Sequence, residues 1–402
     1  MTRWLTAASR NLETASIEAI LLGSGVFGSL ALSALSSVLP QIQAAYHDVP
    51  HAAYWTKAVV TIDGIAMAAA PFTGLVVRAL GGPRRTLVAC YTPFLVAGLS
   101  GAFLSSLFAI IASRLLVGLA GATLMTLAIT LIGDRYTGRS REFRIGINLA
   151  VTSLLIGILV PLAGWLGDRG GWRCAFAVHL LALPFLAFAF LARDLGQFRH
   201  QREASGGPPS SLAPMLPIAL LAGVAGSIAL SIPIFLPFHI REIGITRAAI
   251  AGSMFTLMAG ASVIASASFG ALRRYRSTTA IFVIAFGLWA IGLAITGSAH
   301  TLPMVMLGAL VTGCGGGLVQ PCLFSIVANM STPASLARNN GLVKGFFYGS
   351  PLIGTTILQA LLGHLPAATS LLALGGVAVA LALAALSILA YLRLHPPKSA
   401  RA

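Results

Sequence analysis

Asp63, Arg114 and Lys344 are ionisable side chains set inside long apolar runs, and that placement makes them the first candidates for chemistry. A charge at the centre of a lipid-embedded helix costs about 2.5 to 3.5 kcal/mol on insertion scales, so each needs a use or a partner. Counted from one end of their runs, Asp63 lies eight residues in and Arg114 seven, which at 1.5 Å per residue is about 11 to 12 Å deep for both. At one level, Asp63 can take up a proton while Arg114 tunes it or holds an anionic group. The same two residues can instead form a static ion pair between helices, or Asp63 can bond locally to Thr61 or a serine. Lys344 can act as a substrate-binding cation, or its stem can snorkel to the nearer membrane boundary. His179 can shuttle protons, although a lone histidine among Ala, Val and Leu is more often a hydrogen-bonded packing residue. Gln320, ahead of Pro321 and behind Gly315, Gly316 and Gly317, marks a bendable helix with a polar group at the kink. Asn148, Tyr348, Gln359 and Trp289 complete the candidate polar and aromatic groups.

Covalent chemistry has no constellation here. The sequence holds no phosphate-binding glycine loop, no HExxH and no paired cysteines. His47, Asp48 and His51 are the one cluster worth naming, and without a fourth ligand or a nucleophile they read as solvated loop residues. Neither a cofactor nor a metal is implied.

The elements that must position these groups are set by composition. Of 402 residues, 57% are apolar and 9% charged, with a mean hydropathy of +0.90, too little polar surface to cover a soluble globule. Crossing roughly 30 Å of hydrocarbon takes about 20 apolar residues. That ruler predicts twelve spans, near 17–40, 55–77, 86–106, 107–131, 145–167, 173–192, 215–238, 248–271, 278–298, 302–328, 340–363 and 367–392. The first reads as an uncleaved helix. Cys90, Cys174, Cys314 and Cys322 lie singly in apolar runs, as small packing residues.

A formal net charge of +16 would suggest a nucleic-acid partner in a soluble protein. Its distribution says otherwise: nineteen Lys and Arg fall on one side of the predicted membrane and five, Lys57 among them, on the other. Such an excess on short loops predicts both termini in the cytoplasm of a bacterial inner-membrane protein. The basic balance is a topology signal, and no nucleic-acid partner is expected.

The polar stretch 193–214, with Gly206, Gly207, Pro208 and Pro209, predicts a cytoplasmic linker between six-helix units at 1–192 and 215–402. The halves carry matching marks. Gly118 and Gly121 recur 195 positions on as Gly313 and Gly316, and Pro161 and Gly164 recur 190 positions on as Pro351 and Gly354.

With Arg114 followed by Gly118, Gly121 and Ala122, and with Gly157, Pro161 and Gly164 in the next span, the chain resembles the major facilitator superfamily over nearly its whole length. It is most similar to the drug:proton antiporter branch. Val160 and Trp165 stand where that branch usually has glycines. The resemblance implies an all-α membrane protein of twelve helices in two pseudo-symmetric bundles, working as a monomer by alternating access around a midplane site. It implies conformational roles for Gly74, Arg84, Arg85, Gly118, Gly157, Pro161, Gly164, Pro351 and Gly354. The loop after the second span departs from the family, having Gly74, Arg78, Gly81, Gly82, Arg84 and Arg85 but no acid. A latch there would rest on helix-end carbonyls accepting from Arg84 and Arg85. The acid usual in the first helix is replaced by Glu18 at the cytoplasmic edge. The function implied is proton-coupled efflux of a small organic molecule. The alternatives are an uptake symporter or facilitator for an organic anion, and a membrane-embedded enzyme or lipid-handling protein.

Overall fold

A computed structural model of the chain describes residues 2–67, 72–192, 195, 215–331, 333–362 and 365–394. Among these every regular element is an α- or 3-10 helix. The expected linker 193–214 lies outside them apart from Leu195.

The described residues form twelve helical passes in two bundles. The first pass is broken into Thr2–Gly23, Val26–Ser33, a 3-10 turn at Ser36–Val38 and Leu39–Ala45, where apolar length predicts a continuous helix over 17–40. Pro40, in the first turn of the last piece, has no N–H to continue the ladder, which accounts for the tighter turn before it. The second pass comprises Ala52–Met67 and Thr73–Ala79, the third Pro83–Ser100, the fourth Leu107–Arg135 and the fifth Gly138–Gly170. The sixth opens as a ten-residue 3-10 helix, Trp172–Leu181, and becomes α-helical at Ala182–Leu191. Pro184 sits in the first turn of that α segment, again at a point where an N–H is missing. The second bundle consists of Leu216–Glu242, Ala248–Tyr275, Thr278–Gly297, Leu302–Met330, Pro333–Leu362 and Ala367–Leu394. Ten of these passes are long and apolar enough to cross a bilayer by length and composition alone. The second falls short because 68–71 lie outside the described residues, and the third because Arg84 and Arg85 occupy its first turn.

The repeat in sequence is a repeat in packing. A Cβ on Gly118 would lie 2.8 Å from both the Asp63 Cα and the Ala66 Cβ, and one on Gly313 would lie 2.8 Å from the Met258 Cα and 3.0 Å from the Ala261 Cβ. Met258 and Ala261 stand 195 positions beyond Asp63 and Ala66, the same offset that relates the glycines. In each half a small residue thus lets the fourth helix of the bundle approach the second at backbone contact.

The halves join along the fifth pass with the eighth and the second with the eleventh. The hydrogen bonds between them lie toward the end of the bundle remote from the N-terminus. Thr256 donates to the Gly157 carbonyl, Arg241 to the Pro40 carbonyl (2.7 Å), and Tyr54 meets Thr356.

Candidate functional site

Arg114 is the most heavily engaged of the buried ionisable groups, being 1% exposed beside Asp63 and His179 at 0%. Its Nε and Nη2 both donate to Asp63 Oδ2 at 3.3 Å, Nη2 also donates to the Ala31 carbonyl at 3.2 Å, and Nη1 donates to His179 Nε2 at 2.9 Å. A guanidinium can only donate, so His179 accepts at Nε2 and carries its proton on Nδ1, which faces the Phe176 carbonyl at 2.8 Å. That makes the imidazole a neutral partner. Asp63 Oδ1 has no partner of normal hydrogen-bond geometry. The cluster ties the first, second, fourth and sixth passes together inside one half. Its pseudo-symmetric positions, again 195 residues on, are Met258, Ala309 and Leu374, so the second bundle replaces the charged cluster with hydrocarbon.

The other sequence candidates separate into three groups. At the centre, Tyr348 packs with Leu32, Met67, Met125 and Leu230 between the halves, with its hydroxyl close to the Gln320 side chain. Lys344, one turn away on the same helix face, is exposed, with its ammonium 5.2 Å from the Phe324 ring centroid. Asn148 belongs elsewhere: it is buried and donates to the Leu21 and Leu22 carbonyls at 2.7 and 3.3 Å, clamping the fifth pass to the broken first one. Trp289 is likewise buried, against Gly315 and Gly316.

At the end remote from the N-terminus, Gln359 accepts from Lys57, which reaches across from the other half. Lys57 is assigned by charge counting only to a side of the membrane. It lies within helix Ala52–Met67, with its ammonium 4.8 Å from the Phe235 ring centroid and 5.4 Å from that of Phe238. Asp168 closes the same end. Its two carboxylate oxygens accept from the Ala248 and Ala249 backbone N–H groups at 2.8 and 2.9 Å, capping a helix of the opposite bundle. Pro161 and Gly164 line this seam. A Cβ on Gly252 would lie 2.6 Å from the Pro161 Cα, and one on Gly164 would lie 2.6 Å from the Ala248 carbonyl carbon. Sequence reasoning missed Lys57 and Asp168 because both sit where a span meets a loop, and a charge there carries no energetic signal.

At the opposite end Arg84 donates to the Ala189 and Phe190 carbonyls at 3.3 and 2.8 Å, helix-end carbonyls of the sixth pass. Arg85 is exposed beside Gly81, and Gly74 is buried. Glu18 pairs with Arg144 and accepts from Tyr136 at 2.7 Å, joining the first, fourth and fifth passes. Gly354 packs on Ser227, within one half; Pro351 is helical, and its side chain lies outside the described residues. Of the cysteines, Cys90 and Cys322 are buried, but Cys174 is exposed and donates to the Gly170 carbonyl at 3.2 Å, so it is not a packing residue. His47 pairs with exposed Asp48 at 3.0 Å, and the described residues contain no group of His, Cys, Asp or Glu fit for a metal ion.

The profile of the Major Facilitator Superfamily matches residues 21–287 and 215–402. The chain belongs to that superfamily. It is a multi-pass membrane protein and a secondary transporter of a small molecule, not an enzyme. Among solved structures it is similar to the inward-open xylose transporter XylE from E. coli, with a TM-score of 0.71 at 12% identity over 93% of this chain and 96% of that one. It is also similar to a mutant form of the nucleoside transporter NupG, with a TM-score of 0.68 at 14% identity over 92% and 99%. At such identities the likeness is one of fold. A stretch of 88 residues is 34% identical to the multidrug transporter protein MdtP of Bacillus subtilis (strain 168), covering 22% of this chain and 16% of that protein's length.

Proposed function

We propose that the protein is a proton-coupled exporter of small organic molecules in a bacterial inner membrane. In this reading it is a monomer with both termini in the cytoplasm, and units 1–192 and 215–402 rock about the linker 193–214. The observation that carries the coupling is the Asp63–Arg114 pair at 3.3 Å, fully buried and one residue from a contact between the halves. A Cβ on Gly64 would meet the Tyr348 carbonyl oxygen at 2.8 Å. Protonation of Asp63 removes the anion that Arg114 holds. The guanidinium then keeps only neutral acceptors, His179 Nε2 and the Ala31 carbonyl, and uncompensated buried charge favours rearrangement of the helix that carries Gly64.

With the termini cytoplasmic, the Lys57–Gln359 and Asp168 contacts lie on the periplasmic side, and the arrangement described is the inward-facing one. Export is supported by Gly157, Pro161 and Gly164 at the seam between bundles and by the partial likeness to a multidrug transporter. Uptake is the second reading, favoured by the fold likeness to a D-xylose-proton symporter.

The test is flux of a compound panel in inverted membrane vesicles with and without an imposed pH gradient. Asp63→Asn should abolish gradient-driven flux while leaving substrate exchange at equal pH. Gradient-driven flux of wild-type size in that variant removes Asp63 from the mechanism. Gradient-driven accumulation by intact cells, with none by inverted vesicles, reverses the direction.

A further inference from the structure

We infer that the central cleft binds an organic anion, with Lys344 holding its carboxylate or other oxyanion and an apolar body lying against Phe324 and the Met67–Met125 side of the opposite half. The inference rests on the transport reading and names its substrate class.

The direction in which Lys344 faces follows from its neighbours. Residues four apart share a helix face, so Lys344 lies under Tyr348, and Tyr348 points between the bundles at the cluster of Leu32, Met67 and Ala122. Four residues rise about 6 Å, which sets the ammonium just on the N-terminal side of the point where the halves meet. Space is open there, since Lys344 is exposed. On the facing helix, Gln320 and Phe324 repeat the same one-turn spacing. The layers are therefore Tyr348 with Gln320, then Lys344 with Phe324.

Among the described residues no carboxylate answers this ammonium, and its contact is the Phe324 ring. Glu242 is the single acidic residue between 215 and 402, and it is spent at the far end, accepting from the Ala367 backbone N–H at 2.8 Å. Asp63, the acid nearest the centre, is 0% exposed and committed to Arg114. A cation kept in a membrane protein without an internal counter-ion is open to pairing with an external one. An aromatic ring beside it suits a ligand with an apolar or aromatic body, since a carboxylate can take the ammonium while the body packs on the ring.

The test is equilibrium binding of radiolabelled benzoate, salicylate and 1-naphthoate to the full-length protein in nanodiscs, with benzylammonium as the cation of matched shape. Wild type should bind at least one of the carboxylates and prefer it to benzylammonium. Lys344→Met, which keeps the stem and removes the charge, should weaken that binding at least tenfold, and Lys344→Arg should restore it to within a few fold. Equal binding by Lys344→Met, preference for benzylammonium, or no binding of any carboxylate by a monodisperse wild type overturns the inference. The two readings fail separately. If a carboxylate binds through Lys344 and no vesicle flux of it occurs, the transport mechanism falls and the site stands. If neutral or cationic compounds are carried and carboxylates are ignored, the site falls and transport stands.

Discussion

Replacing Lys57 by Met should open the end of the protein at which the two bundles are joined. Lys57 crosses from the first half to the second, donating to Gln359 and lying within 4.8 and 5.4 Å of the Phe235 and Phe238 ring centroids. Each ring contributes about 0.5 to 2 kcal/mol, depending on how dry the site is, and a hydrogen bond from a charged donor about 1.5 to 3 kcal/mol. Against this stands the cost of half-burying the ammonium, which methionine avoids while keeping the stem. The net is about 1 to 3 kcal/mol, a factor of roughly 5 to 150 in the equilibrium between closed and open at this end. Asp168 and the Tyr54–Thr356 contact remain, so the shift should be partial. Spin labels at Asp48→Cys and His300→Cys, both exposed positions on loops of opposite halves, report it by pulsed dipolar spectroscopy in nanodiscs on a background with the four native cysteines replaced. Lys57→Met should add or enlarge a longer-distance population, and Gln359→Leu should have little further effect on top of it, because the partner is already gone. A distance distribution that does not change would show that Lys57 spans the seam without holding it.

Two further predictions use the same geometry. Arg114→Ala leaves the Asp63 carboxylate buried and unpaired and should cost about 3 to 5 kcal/mol of stability, read as a drop in thermal midpoint in detergent. Adding Asp63→Ala should recover much of that loss, and a double variant no better than the single one would argue against the pair. Gly252→Val puts side-chain carbon where the Pro161 backbone already stands, 2.6 Å from its Cα, so the fifth and eighth passes should no longer close. The same spin-label pair should then report the open distance with no change in carboxylate affinity, and a closed distance would mean that the seam has slack.

How much was legible in the sequence depended on whether the signal runs along the chain or around a helix. Length of apolar run, charge bias of loops and the 195-residue offset all lie along the chain. They were enough for twelve passes, two related halves and the common depth of Asp63 and Arg114, because inserting a charge in lipid costs energy wherever on the helix it points. The resemblance to the superfamily added a latch on helix-end carbonyls, a role in which Arg84 is seen and Arg85 is not. Direction around a helix was not legible. Lipid and protein interior are both apolar, so a span such as Leu302–Met330 carries no polar stripe to give its phase. Tertiary packing alone separated Asn148, which clamps two helices of one bundle, from Gln359, which meets Lys57 across the seam, and from Lys344, which is exposed beside the Phe324 ring. It alone made Lys57, one of five cations counted on the far side of the membrane, a bridge between halves. It also decided that Asp63 and Arg114, alike in depth, are joined, because helix-to-helix distance is set by glycines such as Gly118 acting against a partner that the linear order does not name.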